Sequence, residues 1–272
     1  MNMADDPLVS IITPVKNGEK HLEETICSVL SQTYSNIEYI IIDGESEDNT
    51  HNIIRKYESY INNWISELDN GIYQAMNKGI AMSKGEIIGI INSDDILEKE
   101  TVEIVVNAHK ENPSDIYCGK MIRFREIAGV EVSKEVSTDL SQLHKTMSVF
   151  HPATFITAKL YQTIGLYDES YCIAADYDFI LRAKQANCSI HLIEKVLCRF
   201  RTSGGVSSMN CRSYAEAARI HKEHHTGNYM YMKKMHLKCI IKTGMKKFIY
   251  TLAQALGMRK KIDRLVKKRW EH

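Results

Sequence analysis

Three short runs of apolar residues decide what this chain can fold into: Leu8–Thr13, Ile37–Ile42 and Glu86–Ile91. None alternates apolar with polar, so both faces of each strand need cover, as in parallel strands sandwiched between helices. The intervening stretches supply that cover. Glu19–Gln32 sets Leu22, Ile26, Val29 and Leu30 at helical spacing, Asp48–Ile61 does the same with Ile53, Ile54, Tyr57 and Ile61, and Gly71–Ser83 gives a third helix after a short strand at Trp64–Leu68. Strand and helix alternating in this way predict crossover units and an α/β fold with a parallel sheet. Ligands of such sheets gather at the carboxyl ends of the strands. There the chain puts Thr13 and Asn17, then Asp43, then Asp69, then Asn92-Ser93-Asp94-Asp95.

After Glu98 the pattern changes. A helix is expected at Thr101–Lys110, a strand pair at Asp115–Phe124 and Val130–Val136 turning near Gly129, a helix at Asp176–Ala186, and two short strands within Ser189–Arg201. With 272 residues, 44% hydrophobic, and only 4 prolines, the chain can bury a core without staples and is no low-complexity sequence. The seven cysteines are odd in number, scattered, and never spaced C-x-x-C. They predict neither a disulfide framework nor a zinc site and fit a reducing cytosol. Met1–Pro7 has no apolar core of a secretory signal, and no window approaches the ~18 apolar residues of a membrane span.

The net charge of +1 hides an asymmetry. From Lys233 to His272 there are 13 Lys/Arg against 2 Asp/Glu, which leaves 22 basic and 32 acidic side chains in the first 232 residues. A basic segment carrying Met, Ile, Leu and Phe predicts an amphipathic helical extension, residues 228–272, beyond a main domain of residues 1–227. An anionic membrane surface is the expected partner; a solvated helical pair packed on the body is the alternative. No nucleic-acid-binding motif accompanies the charge.

Asp94 and Asp95 are adjacent carboxylates at a strand end. Their repulsion is relieved by a divalent cation, Mn²⁺ or Mg²⁺, which proteins hold with one or two carboxylates plus substrate phosphates; a helix N-cap is the competing role. The chain has no G-x-G-x-x-G after the first strand, no P-loop and no G-x-S-x-G elbow. His221, His224 and His225 have helical spacing for a metal but lack an accompanying carboxylate pattern, and are expected on a solvated helix face.

Val9-Ser10-Ile11-Ile12-Thr13-Pro14-Val15-Lys16-Asn17 resembles the opening strand of family 2 glycosyltransferases. Asp43-Gly44-Glu45-Ser46-Glu47-Asp48-Asn49-Thr50 is similar to the family's DGSxDxT segment. Asp69-Asn70-Gly71-Ile72-Tyr73 with Ala75-Met76-Asn77-Lys78-Gly79, then Asn92–Asp95, then Ala175-Asp176-Tyr177-Asp178-Phe179 follow in the family's order over residues 7–205. The resemblance implies a GT-A fold, a Rossmann-like nucleotide-binding sheet flanked by helices, and inverting transfer from a UDP-sugar. Carried over one by one, Thr13 and Pro14 would flank the nucleotide, Asp43 would hold base or ribose, and Asp69 would line the same pocket. Lys78 would approach the diphosphate, and Asn92 would stand at the ribose or metal. Asp94, with Asp95 second, would hold the cation. Asp176 would be the general base that takes the acceptor's proton, with a helix N-cap as its alternative role. His151 would line the acceptor side, a structural histidine being its alternative. Arg201–Ser207 resembles a flexible segment that follows the catalytic helix in relatives.

Two positions depart from the pattern: Asn92 stands for the first acid of D-x-D, and Ala175 for the acid before Asp176. The implied function is a metal-dependent hexosyltransferase on the cytoplasmic face of a bacterial membrane. It would act on a lipid-linked saccharide in surface polysaccharide or lipopolysaccharide O-antigen assembly. A catalytically idle membrane-bound scaffold of the same fold and a sugar-phosphate nucleotidyltransferase are the alternatives. The latter would want a basic Gly-rich loop after the first strand.

Overall fold

In the computed structural model the chain is described over residues 6–127, 130–202 and 211–255, without the side chains of residue 127 and of residues 246–255. Expectations for Met1–Asp5, Gly129, Ser203–Ser207, the side chains of Lys246 and Lys247, and the basic residues beyond 255 lie outside these limits. Two compact units emerge, Met1–Ser208 and Met209–His272.

The first unit is built on β1 (Val9–Val15), all seven residues of which are buried. It runs parallel to β2 (Ile37–Asp43) on one side and β4 (Ile87–Ile90) on the other, with β3 (Asn63–Ser66) parallel to β2. The crossovers carry α1 (Leu22–Leu30), α2 (Thr50–Lys56) and α3 (Ile72–Met82). Beyond β4 the sheet turns antiparallel through β8 (Thr154–Thr157) to β6 (Ile116–Ile127). β6 pairs with β7 (Val130–Val136), runs parallel to β9 (Ile190–Arg201), and β9 closes on β5 (Ile96–Leu97). The remaining helices are α4 (Thr101–Glu111), α5 (Ala158–Ile164) and α6 (Ala175–Gln185). The parallel half matches the expectation from the apolar runs. Its few buried polar groups are paired: Ser10 Oγ donates to Glu38 Oε2 at 2.5 Å, and that carboxylate also takes the Lys84 N–H at 2.8 Å.

The antiparallel half differs from the sequence reading in places. Ser189–Arg201 forms one twelve-residue strand in place of two. A register shift opposite Cys118–Lys120 lets the polar Glu194-Lys195 break pass without ending it, and Glu194 pairs with Lys120 at 3.0 Å. The helix expected to reach Ile61 stops at Lys56, and Glu58–Tyr60 is a separate 3₁₀ turn. Strand β5 and helix α5, two and seven residues long, are too short for hydrophobic periodicity to reveal.

The second unit contains α7 (Cys211–Glu223) and α8 (Tyr229–Ala255), joined through Gly227 at φ +80°. Cys211 and Cys239 form a disulfide across 28 residues, with Cα atoms 5.4 Å apart. This corrects the expectation of no disulfide: the hairpin brings together cysteines whose spacing has no local signature. The boundary expected after residue 227 falls inside this hairpin, and the units part at Ser208 because α7 packs with α8. His221 is buried at 1% exposure and its Nδ1 bonds Thr226 Oγ1, so it caps the helix end and is no part of a solvated face. Among the described residues no helix is long and apolar enough to cross a membrane.

The seam between the two halves of the sheet depends on Gly89 of β4. A Cβ there would lie 2.4 Å from Cε1 of the Phe155 ring and 3.1 Å from Cδ1 of Ile11. Overpacking a buried site typically costs ~1–3 kcal/mol. Gly89→Ala is therefore expected to lower the urea midpoint with the m-value unchanged. A wild-type midpoint would mean that Phe155 has room to move.

Candidate active site

The loops that follow β1 and β2 are laced together by side chains. Asn17, at φ +53°, receives the Glu47 N–H on its Oδ1 at 2.9 Å, while its own N–H donates to Ser46 Oγ at 2.7 Å. The N–H groups of Gly18 and Glu19 donate to Thr50 Oγ1 and Asp48 Oδ2, and Glu19 Oε2 returns the favour to the Asn49 N–H. The polar residues of the 43–50 segment thus hold backbone first.

Asp43 is the hub of this edge. It is fully buried, and its oxygens accept Ser46 Oγ at 2.5 Å, Ser46 N–H at 3.1 Å, Ser66 Oγ at 2.6 Å and His51 Nε2 at 2.7 Å. Burial pushes its pKa up, but the hydrogen bonds from Ser46, Ser66 and His51 outweigh this and hold it below the usual carboxylate range. Any base or ribose contact at Asp43 therefore involves His51 and Ser66 as well. Next to it, Gly44 leaves room for Asp69, whose Oδ2 would stand 2.4 Å from a Cβ at position 44. Asp69 Oδ1 also accepts the Gly71 N–H at 3.0 Å and so sets the entry to α3. Lys78, expected near the diphosphate, pairs with Glu67 at 2.8 Å and reaches the Leu68 carbonyl at 3.3 Å. Thr13 and Pro14 are buried, and the Thr13 hydroxyl lies 3.1 Å from the buried Tyr39 hydroxyl. That hydroxyl is shared with the core beneath the carboxyl end of β1.

At the end of β4 the acid pair divides its roles. Asp95 is fully buried, and its two oxygens accept the Arg201 N–H at 2.9 Å and Asn92 Nδ2 at 3.0 Å. Burial, then the neighbouring Asp94 charge, pushes its pKa up to about 8. The second expected metal ligand thus anchors the turn from within, and Asp94 is the part-exposed acid of the pair. Burial raises the Asp94 carboxyl also. Arg201 clasps the turn: its Nε donates to the Asp94 carbonyl at 3.1 Å, its other arm bonds Glu24 of α1, and its guanidinium lies 4.6 Å from the Phe124 ring centre. His21 stands close by, its pKa lowered by burial and by Arg201.

Asn92 Oδ1 is buried without a hydrogen-bond partner. An unpartnered acceptor beside a desolvated carboxylate is a polar site suited to a cation or a donor group. The residues present therefore fit a divalent cation at Asp94 and Asn92. Among the described residues no cluster of three or more His, Cys, Asp or Glu accompanies them, so substrate phosphates would complete the ligand set.

Asp176 occupies the first turn of α6, whose N-cap is Ala174, so it does not serve as the cap. Its Oδ1 accepts the Tyr73 hydroxyl at 3.2 Å and the Tyr177 N–H at 2.9 Å. Tyr73 also donates to the Ile173 carbonyl at 2.6 Å, which ties the start of α6 to α3 just after Asp69. Asp178 is buried and turned back onto Arg182 at 2.8 Å. Between α3 and the segment before α6 lies a cavity of about 190 Å³, lined by Asn70, Gly71, Tyr73, Glu169, Tyr171 and Cys172. His151 packs edge-on to Tyr167, with ring centres 6.1 Å apart, and burial lowers its pKa to about 4.

That shift has a measurable sign. An unfolded histidine titrates near ~6.5, so neutral His151 contributes stability above that pH, and the contribution is lost as pH falls towards about 4. The urea midpoint of wild type should fall more steeply between pH 7 and 4.5 than that of His151→Gln. Parallel profiles would assign His151 to solvent.

Comparison with known proteins agrees with this geometry. Residues 10–157 match the model of Glycosyl transferase family 2. An uncharacterized glycosyltransferase of Mycobacterium tuberculosis is 36% identical over 208 residues, covering 74% of this chain and 78% of the relative. One from Rickettsia typhi is 33% identical over 205 residues, and the match covers 72% of this chain but 64% of that protein. A PGL/p-HBAD biosynthesis glycosyltransferase of Mycobacterium bovis is 27% identical, covering 74% of this chain and 80% of its own. Among solved structures, S. aureus TarS 1–349 in complex with UDP-GlcNAc superposes with a TM-score of 0.64 at 23% identity, covering 79% of this chain and 66% of TarS. With over half its residues matched and its sheet shared with TarS, the chain belongs to glycosyl transferase family 2 and has the GT-A fold.

Proposed function

We propose that this chain transfers a sugar, with inversion, from a UDP-sugar to a hydroxyl of a saccharide acceptor. The observation that carries the reading is a pair of part-exposed carboxylates with separate anchors: Asp94 on the turn clasped by Arg201, Asp176 on the helix start held by Tyr73. The TarS complex with UDP-GlcNAc supports the donor class, and the relative named for PGL/p-HBAD biosynthesis supports a surface glycan as product.

In this reading the acceptor hydroxyl gives its proton to Asp176 as it attacks the anomeric carbon, and the diphosphate leaves on the opposite face. Tyr73 orients the Asp176 carboxylate through its bond to Oδ1. Asp43 with His51 and Ser66, and Asp69 above Gly44, hold the nucleoside. Asp94 and the Asn92 carbonyl would hold Mn²⁺ or Mg²⁺, which would supply Lewis-acid stabilisation of the charge growing on the leaving diphosphate. Buried Asp95 keeps that turn in shape, and Lys78 braces the segment before α3 through the Glu67 carboxylate and the Leu68 carbonyl.

The acceptor is lipid-linked in this proposal, and the enzyme works at a membrane surface. α8 supports this, since Met230, Leu237, Ile241 and Met245 are all at least half exposed along a helix that also carries Lys234, Lys238 and Lys242. Such a helix suits an anionic interface.

Two substitutions test the chemistry. Asp176→Asn retains shape but cannot take a proton, so kcat should fall by roughly 10²–10⁴ with UDP binding intact; near-normal turnover would return Asp176 to a structural role. Asp94→Ala should abolish transfer and remove the effect of Mn²⁺ on UDP affinity, measured by calorimetry across a panel of UDP-sugars. Mn²⁺-dependent binding that survives the change would place the cation elsewhere.

A further inference from the structure

The second unit contains a site that the transfer reaction does not use. Between α7 and α8 lies a cavity of about 590 Å³, lined by Arg219, Lys222, Glu223, His225, Lys233 and His236 among others. Three permanent cations and two histidines face one carboxylate, and that carboxylate is engaged: Glu223 Oε1 accepts Arg219 Nε at 2.8 Å. Lys222 and Lys233 are exposed and form no ion pair among the described residues, and the Lys233 ammonium lies 4.8 Å from the Tyr229 ring centre. Three pieces of backbone converge here: the last turn of α7, the left-handed His225 at φ +52°, and the first turns of α8. Like charges gathered around one space repel unless an anion joins them; Ala215, Ala218 and the Tyr229 ring supply the apolar part of the lining.

We propose that this cavity binds phosphate, and that its occupant is the headgroup of an anionic phospholipid. The phosphate chemistry follows from the cavity alone; the lipid source rests on the membrane reading above. Its support is the adjoining face of Met230, Leu237, Ile241 and Met245, exposed and at seven- and four-residue intervals, on which Lys234 also stands. A headgroup seated between the helices sets this stripe against the acyl layer. The site thus fixes the depth and orientation of the hairpin, where a diffuse lysine cloud would fix neither.

The test uses the full chain and two charge-matched variants, Lys222→Gln with Lys233→Gln inside the cavity, and Lys238→Gln with Lys242→Gln outside it. All four lysines are exposed, so both variants should fold, which circular dichroism checks. Flotation with phosphatidylcholine vesicles containing one-fifth phosphatidylglycerol should recover wild type, and pure phosphatidylcholine should recover little. Each lysine near an anionic surface adds to its attraction, so both variants weaken, but charge-assisted hydrogen bonds should cost the cavity pair about tenfold more. Equal weakening would overturn the cavity site and leave the membrane reading standing. Equal recovery on both vesicle types would assign binding to the apolar stripe and also overturn it. Calorimetry with inorganic phosphate separates the source. Phosphate binding lost in the cavity pair, without vesicle binding, would overturn the lipid occupant and the membrane reading together. Binding of neither would overturn the site altogether.

Discussion

A strand buried along its whole length can offer polar groups only at its ends, and β1 is such a strand. Neighbours on both edges satisfy its backbone, and Ile11, Ile12 and Val15 fill the space beneath the helices. Everything that could act chemically is displaced to the carboxyl edge, where β1, β2 and β4 end together. The same constraint explains why so many of the motif residues are structural. An edge made from chain ends has unsatisfied N–H groups, and Ser46, Asp48, Thr50 and Asn17 satisfy them.

The acids at this edge are therefore graded by what else they hold. Asp43 accepts four protein hydrogen bonds, Asp95 two within the core, Asp69 one backbone group beside Gly44. Asp94 and Asp176 are the part-exposed ones anchored by a residue from a distant element. Arg201 is 107 residues from Asp94, and Tyr73 is 103 from Asp176. The site is thus a joint product of the parallel half and the antiparallel half of one sheet.

This division marks what the sequence could reveal. Apolar runs without alternation gave away β1, β2 and β4, and the crossovers fixed which edge carries Asp43, Asp69 and Asp94. The partners were hidden because they arise from tertiary packing. Nothing local tells that the Thr13 hydroxyl turns to Tyr39, that Asp95 faces inward, that Lys78 pairs with Glu67, or that His51 joins Asp43. Arg201 stood in a segment noticed for its likeness to a flexible one in relatives, yet its side chain is what binds the turn. Cys211 and Cys239 meet only because a hairpin folds, which no spacing rule anticipates.

The reciprocal bonds between the loops after β1 and β2 bear on how tightly a nucleotide can be held. Loops that close independently around a ligand lose conformational freedom at the moment of binding, and that loss is subtracted from affinity. Here Asn17, Glu19, Ser46, Asp48 and Thr50 have already surrendered it during folding. Any ligand that enters beside them meets a preformed wall, so more of its interaction free energy survives as affinity. The two loops also respond to strain as one body, and changes made in either are felt by the other without any ligand between them.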